Sequence, residues 1–74
     1  MPRVRVTLLR DGEPVRGHRV VLEFDHGLSD AHYTDSDGIA EFNVKYGQQG
    51  NVLVDGRKVD RWGSYSATDI TVQL

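Results

Sequence analysis

The fold is decided by residues 34–44, Thr34-Asp35-Ser36-Asp37-Gly38-Ile39-Ala40-Glu41-Phe42-Asn43-Val44. Asp37-Gly38 is a turn signal, because glycine takes a positive φ without steric cost and an aspartate side chain hydrogen-bonds nearby backbone amides. Asp35 can cap the same turn, so Asp-Ser-Asp-Gly fits a hairpin loop of roughly three to five residues with glycine in the left-handed position. Beyond it Ala40, Phe42 and Val44 point one way and Ile39, Glu41 and Asn43 the other. A period of two over this length predicts a half-buried strand centred on Phe42. On the near side Ala31, Tyr33 and Asp35 alternate with His32 and Thr34, which predicts the first arm of a hairpin.

The rest of the chain supplies further strands to cover that inner face. Arg3 to Leu9 is the first, with Val4, Val6 and Leu8 opposite Arg3, Arg5 and Thr7. Asp11-Gly12 ends it. Pro14 has no amide donor and belongs in a connection. Arg19 to Asp25 is the second, with Val20, Leu22 and Phe24 alternating with Arg19, Val21 and Glu23. Paired as a hairpin, these two strands would match Arg5 with Glu23 and Val6 with Leu22, but the connection from Arg10 to His18 is long for a hairpin. Asp25 to Asp30 reads as a loop, and Tyr46 to Gly50 as the next connection. Asn51 to Asp55 is a short strand with Val52 and Val54 on one face and Leu53 on the other. Asp55-Gly56 is a strong two-residue hairpin signal, returning through Arg57-Lys58-Val59-Asp60. Trp62 to Ser66 is irregular. Thr68 to Leu74 is the last strand, with Ile70, Val72 and Leu74 inward. No segment has a helical period, and seven short strands with frequent turns predict a sandwich or small barrel.

The motif Thr-Asp-x-Asp-Gly-x-Ala-x-Phe-x-Val over residues 34–44, preceded by Asp11-Gly-Glu-Pro-Val-Arg-Gly-His-Arg-Val-Val-Leu22, resembles the transthyretin-like (prealbumin-like) β-sandwich superfamily. Within it, the carboxypeptidase regulatory-like and collagen-binding B-type modules are closest in pattern. The resemblance covers roughly residues 3–56 and implies a small all-β fold, a seven-stranded Ig-like antiparallel β-sandwich, with residues 1–74 as one domain and the first two strands in opposite sheets. The matching residues are turn and core residues, so the resemblance speaks for fold and not for activity. The enzymatic branch, the hydroxyisourate hydrolases, ends in Tyr-Arg-Gly-Ser. This chain ends Thr-Val-Gln-Leu, with only a partial echo at Arg61-Trp62-Gly63-Ser64. Collagen-binding B-type modules often carry a Lys–Asn isopeptide bond with the lysine on the first strand. Here that strand has Arg3 and Arg5, and no isopeptide is expected.

Composition bounds the function. Seventy-four residues bury a small core, and without cysteine there is no disulfide to staple it. The formal net charge is −2, unevenly spread. Residues 1–24 carry five arginines against three acids, residues 25–44 five acids and no Lys or Arg, and the remainder four bases against three acids. A near-neutral chain of this kind is a poor nucleic-acid binder. No apolar run approaches the ~20 residues that span a bilayer, and no secretory signal is visible after Met1-Pro2-Arg3. The compartment stays open. A start at Met1 fits a complete small protein or an excised domain equally.

Three groups of side chains could carry function. Asp25, Asp30, Asp35 and Asp37, with His26 and His32 interleaved, are hard-oxygen ligands of the kind calcium takes. The spacing is not that of an EF-hand, since aligning Gly38 with the invariant glycine puts Tyr33 first and Val44 at the bidentate position. The competing reading is that these aspartates cap turns. His18, His26 and His32 would hold zinc only if the fold gathered them. Trp62 and Tyr65, with Tyr46 and Tyr33, could form an aromatic platform for a sugar or peptide, against the alternative that Trp62 plugs one end of the sandwich. No constellation for catalysis is present and no cofactor is expected. The sequence therefore points to a non-catalytic structural or interaction module. It would meet a protein partner or a second copy by an edge strand, near Leu53 or Ile70, or by a loop surface carrying Trp62, Tyr65 and Tyr46. A calcium- or carbohydrate-binding module using the acidic loops is the alternative.

Overall fold

The computed structural model describes residues 2–74 and contains strands and turns without helix. Two sheets enclose a core of Val4, Val6, Leu8, Val20, Leu22, Ala40, Phe42, Val44, Val52, Val54, Trp62, Ile70 and Val72. Those residues are the inward sets that period-two alternation picks out, with Trp62 added, Phe24 only packed against the core, and Leu74, expected inward, 40% exposed at the end of the described chain. The strands are β1 (Arg3–Arg10), β2 (Glu13–Pro14), β3 (Arg19–Phe24), β4 (Gly27–Leu28), β5 (His32–Tyr33), β6 (Ile39–Asn43), β7 (Gln49–Val54), β8 (Arg57–Gly63) and β9 (Asp69–Gln73). Among the described residues there are nine where the sequence pattern predicts seven. The additional two, β2 and β4, are two residues long and have no alternation to betray them.

Sheet one is built on β1. Its first half pairs antiparallel with β6 (Val4 opposite Phe42, Val6 opposite Ala40), and its end pairs with β2. Leu8 shows that both neighbours share one edge, since its amide donates to Gly38 and its carbonyl accepts from Val15. The other edge of β1 takes β9 in parallel, Val6 opposite Ile70. An all-antiparallel arrangement is thus corrected at this pair. β9 enters from the loop after β8 beside the start of β1, where Arg5 donates to the Thr68 carbonyl, so it can only run the same way. Sheet two is built on β3, with β7 and then β8 on one side and the short β4 and β5 on the other. β1 and β3 lie in opposite sheets, as the long connection between them suggests.

The opening motif is the largest departure from expectation. Residues 31–44 do not form a hairpin. β5 pairs with β3 and β6 pairs with β1, so the Asp35–Gly38 turn carries the chain from one sheet to the other. Alternation reads correctly on both arms but is blind to which neighbour each arm takes. Thr34 anchors the crossing. Buried at 4% exposure, its hydroxyl donates to the Val15 carbonyl and accepts from the His18 amide. Asp35 caps the turn, its Oδ1 accepting from the amides of Asp37 and Ile39. Asp11-Gly12 ends β1 as its residue types indicate, and it also starts a further strand. Both residues have positive φ (53° and 80°), which makes it a two-residue hairpin between β1 and β2, like the predicted Asp55-Gly56 (52° and 85°).

Two glycines hold positions no other residue fits. Gly38 has φ +75°, and a Cβ there would lie 2.6 Å from the Leu8 carbonyl oxygen and 3.0 Å from Pro14 Cβ. Gly50 lies under the Glu23 carbonyl, which a Cβ would overlap. Gly12 has the same φ problem in open space. Gly12→Ala is expected to cost about 1 kcal/mol, the ordinary left-handed penalty. Gly38→Ala and Gly50→Ala should cost about 3 kcal/mol or more, because backbone has to move as well. Urea unfolding midpoints check this, and equal losses at all three positions would contradict the packing described.

Candidate functional site

Trp62 is not part of an exposed platform. β8 continues through it to Gly63, so the stretch that reads as irregular is partly strand. The indole is 2% exposed, donates from Nε1 to the Glu23 carbonyl at 3.2 Å, and meets Phe24 edge-on with ring centroids 5.2 Å apart. It sits opposite Gly50 in the β7–β8 ladder, and the missing side chain there leaves room for it. Trp62 therefore closes the core and is removed from the candidate contact residues.

Tyr46 and Tyr65 remain together at the surface. They come from the β6–β7 and β8–β9 loops, stack at 5.7 Å with an interplanar angle of 20°, and are 68% and 76% exposed. The loops are tied below them. The Gly47 amide donates to Ser64 Oγ at 2.8 Å and the Ser64 amide to the Gln48 carbonyl at 3.0 Å, with Ser64 buried. The stack is thus held by a buried polar tie and presents two aromatic rings to solvent. The Gly47–Gln49 segment also lines an open groove of about 330 Å³ with Phe24, Asp25, His26 and Leu28. Tyr33 lies elsewhere, opposite Arg19 on the outer face of sheet two.

The aspartates are dispersed. Asp35 is consumed by its turn, with Asp37 beside it, and Asp25 lines the groove. Among the described residues no three His, Cys, Asp or Glu side chains converge as metal ligands would, Asp25, Asp30, Asp35 and Asp37 included. The histidines separate likewise. His26 is in the groove, and His32 packs on Phe42 with centroids 4.5 Å apart. His18 Nδ1 donates to Asp55 Oδ2 at 2.9 Å, which ties the β7–β8 turn to the start of β3. That hydrogen bond, with a smaller one from the Arg19 amide, holds the Asp55 carboxyl below its ordinary value of 3.8.

The strand edges differ in character. Leu53 belongs to β7, an interior strand between β3 and β8, so no docking edge exists there. β8 is the edge of sheet two on that side. It is blunted by a register shift at Val52/Leu53 and by Arg57, Lys58, Asp60 and Arg61. β9, the strand of Ile70, is one edge of sheet one; β6 is the other, and there the Asp35 turn takes up both backbone groups of Ile39. β9 pairs only with β1, over five regular residues without proline, lysine or bulge. The outer faces differ too. Sheet one is polar outside, with Arg3 and Arg5 reaching Glu41 at 3.3 and 3.7 Å. Sheet two carries Val21, 2% exposed yet outside the main core, opposite Leu53. A polar network lies beside them, where Asn51 Nδ2 donates to Glu23 Oε1 and Lys58 Nζ lies 3.5 Å from the same oxygen. Val21 as the one apolar residue on an otherwise polar alternation is the sequence signal for that patch. Nothing in the sequence signals which edge of β9 is free.

The depressed Asp55 carboxyl has a consequence for acid stability. A group whose pKa is lowered on folding contributes stability above its unfolded pKa and loses it as pH falls through the folded value. The wild-type chain should therefore lose stability below about pH 4 more steeply than Asp55→Asn, read as urea midpoints from pH 6 to 2. Parallel curves would show that the His18–Asp55 contact contributes nothing. No family model matches the chain, and no curated protein matches it significantly, so the reading of the site rests on its geometry.

Proposed function

We propose that the chain is a transthyretin-like, Ig-like β-sandwich of the carboxypeptidase regulatory-like or collagen-binding B-type kind, and that it works as a non-catalytic protein-interaction module. Its docking surface is the free edge of β9, with the Tyr46–Tyr65 stack in the adjoining loops. The family reading is supported by the motif over residues 34–44 and by the placement of β1 and β3 in opposite sheets. We read the His18–Asp55 pair as a structural tie between the β7–β8 turn and the start of β3.

The observation that carries the docking reading is the bare edge of β9. Natural sheets blunt their edges, and an unblunted one is a template for an added strand. β8 carries a register shift and four charged residues, whereas β9 has no bulge and a single charge, Asp69. Tyr65 stands in the loop that leads into β9 and stacks on Tyr46 of the β6–β7 loop, and tyrosines are enriched among residues that carry contact energy.

A second reading has one observation behind it. The groove between Phe24 and Gln49, floored by the loop that also bears Tyr46, suits an oligosaccharide, with a ring against aromatic carbon and hydroxyls on Asp25, His26 and Gln48. Calcium binding has no such support, because the four aspartates do not gather.

One experiment separates these. Strand-forming peptides selected from a displayed random library against the ¹⁵N-labelled chain should shift amides of Asp69–Gln73 together with Tyr46 and Tyr65. Shifts confined to Arg57–Arg61 would overturn the β9 assignment. Shifts at residues 25–28 and 47–49 on adding a panel of soluble oligosaccharides, with no peptide effect at β9, would favour the sugar reading.

A further inference from the structure

The free edge of β9 has an internal symmetry that names its partner. Arg5 donates to the Thr68 carbonyl, and Leu74 donates to the Leu9 carbonyl. The even-numbered residues of β9 therefore spend their backbone groups on β1. By the alternation of a strand, the odd-numbered residues Asp69, Thr71 and Gln73 direct N–H and C=O to the open side. These three are also the outward, exposed side chains, whereas Ile70 and Val72 face the core at 5% and 7% exposure. A two-fold axis through Thr71 would place a second copy of β9 antiparallel to the first. Thr71 would meet Thr71, Asp69 would meet Gln73, and Ile70 would meet Val72. Every open backbone group of the strand would then find a partner, no like charges would face each other across the pair, and apolar would lie on apolar. Moving the axis to Ile70 or Val72 leaves Gln73 or Asp69 respectively without a partner inside the strand.

Resting on the reading of β9 as the docking edge, we infer that the chain pairs with a second copy of itself through β9, in an isologous antiparallel contact centred on Thr71. A C2 interface requires a self-complementary patch, and this five-residue edge is one. A threonine pair and an amide–carboxylate pair are favourable cross-strand neighbours. A contact made of a single strand pair lies well below the area of a stable dimer, so the association belongs to the weak class. The neighbouring edge opposes it. β8, which lies against β9, carries Arg57 and Arg61 besides Asp60 and the Glu23-paired Lys58, and pairing two copies brings two such edges closer. Added salt should therefore strengthen the dimer by screening that repulsion.

The test is sedimentation velocity on the intact chain from about 10 μM to 1 mM, a range chosen for a weak interface. The wild type should show a reversible monomer–dimer shift that grows with salt. Thr71→Lys sets a charge opposite itself on the axis and should weaken association at least about tenfold. Gln73→Lys places a lysine opposite Asp69 of the other copy, twice per dimer, and should tighten it about threefold to tenfold. Both side chains are exposed, and a dispersed amide spectrum verifies that each variant is folded. If Thr71→Lys fails that check, Gln73→Lys still decides. A monomer throughout the range overturns self-pairing while leaving the peptide titration to judge β9 as a docking edge. A dimer indifferent to both substitutions, or one dissolved by Leu53→Lys and not by Thr71→Lys, overturns it too and places the contact on the outer face of sheet two.

Discussion

The structure depends on how the chain crosses between sheets at Thr34–Gly38. Before the crossing it belongs to β3's sheet, and after it to β1's. The crossing is fixed from three sides. The buried Thr34 hydroxyl bonds the β2–β3 connection in both directions, Asp35 caps the turn, and Gly38 lies so close to β1 that its carbonyl accepts from Leu8. A buried hydroxyl with both roles satisfied is worth more than its net bond energy suggests, because leaving its partners unpaired costs the full desolvation of each. Once this turn is set, β6 lies on one edge of β1. β2 extends the same edge, and the other edge is left for β9.

Much of this architecture is legible in the sequence, and the illegible part has a common cause. Val4, Val6 and Leu8, or Ala40, Phe42 and Val44, declare their inward faces because a strand's side-chain period is two whatever it pairs with. Pairing partners leave no such trace. His32 and Tyr33 alternate as a hairpin arm should, yet they lie against β3. The parallel approach of β9 to β1 is equally silent, since it is set by where a loop delivers the chain. Trp62 was hidden for another reason. β8 is an edge strand with charged residues on most positions and a bulge near its middle, so the period that would mark Trp62 as inward is broken before it is reached.

The candidate site divides along the same line. Tyr46 and Tyr65 stand out by residue type, but their stacking needs two loops nineteen positions apart to be tied through Ser64. The aspartates stand out equally and are taken up by turns, which is where short acidic side chains go by default. Chemistry-bearing residues were thus visible one at a time, and only the fold says which act together. The bare edge of β9 has no residue signature at all. It is a property of backbone groups, visible only once the ladder on its other side is known.

A core of this size leaves a small margin of stability, and an exposed edge both draws on that margin and offers a way to extend it. The most direct measurement of the central claim is native-state amide exchange within β9. In dilute solution the account predicts that Thr71 and Gln73 exchange at least about a hundredfold faster than Ile70 and Val72, because the first pair faces solvent and the second bonds to β1. It further predicts that concentrated solution slows the fast pair selectively. Equal protection along the strand in dilute solution would mean that the edge is already covered, and that β9 is not the surface by which this protein meets its partner.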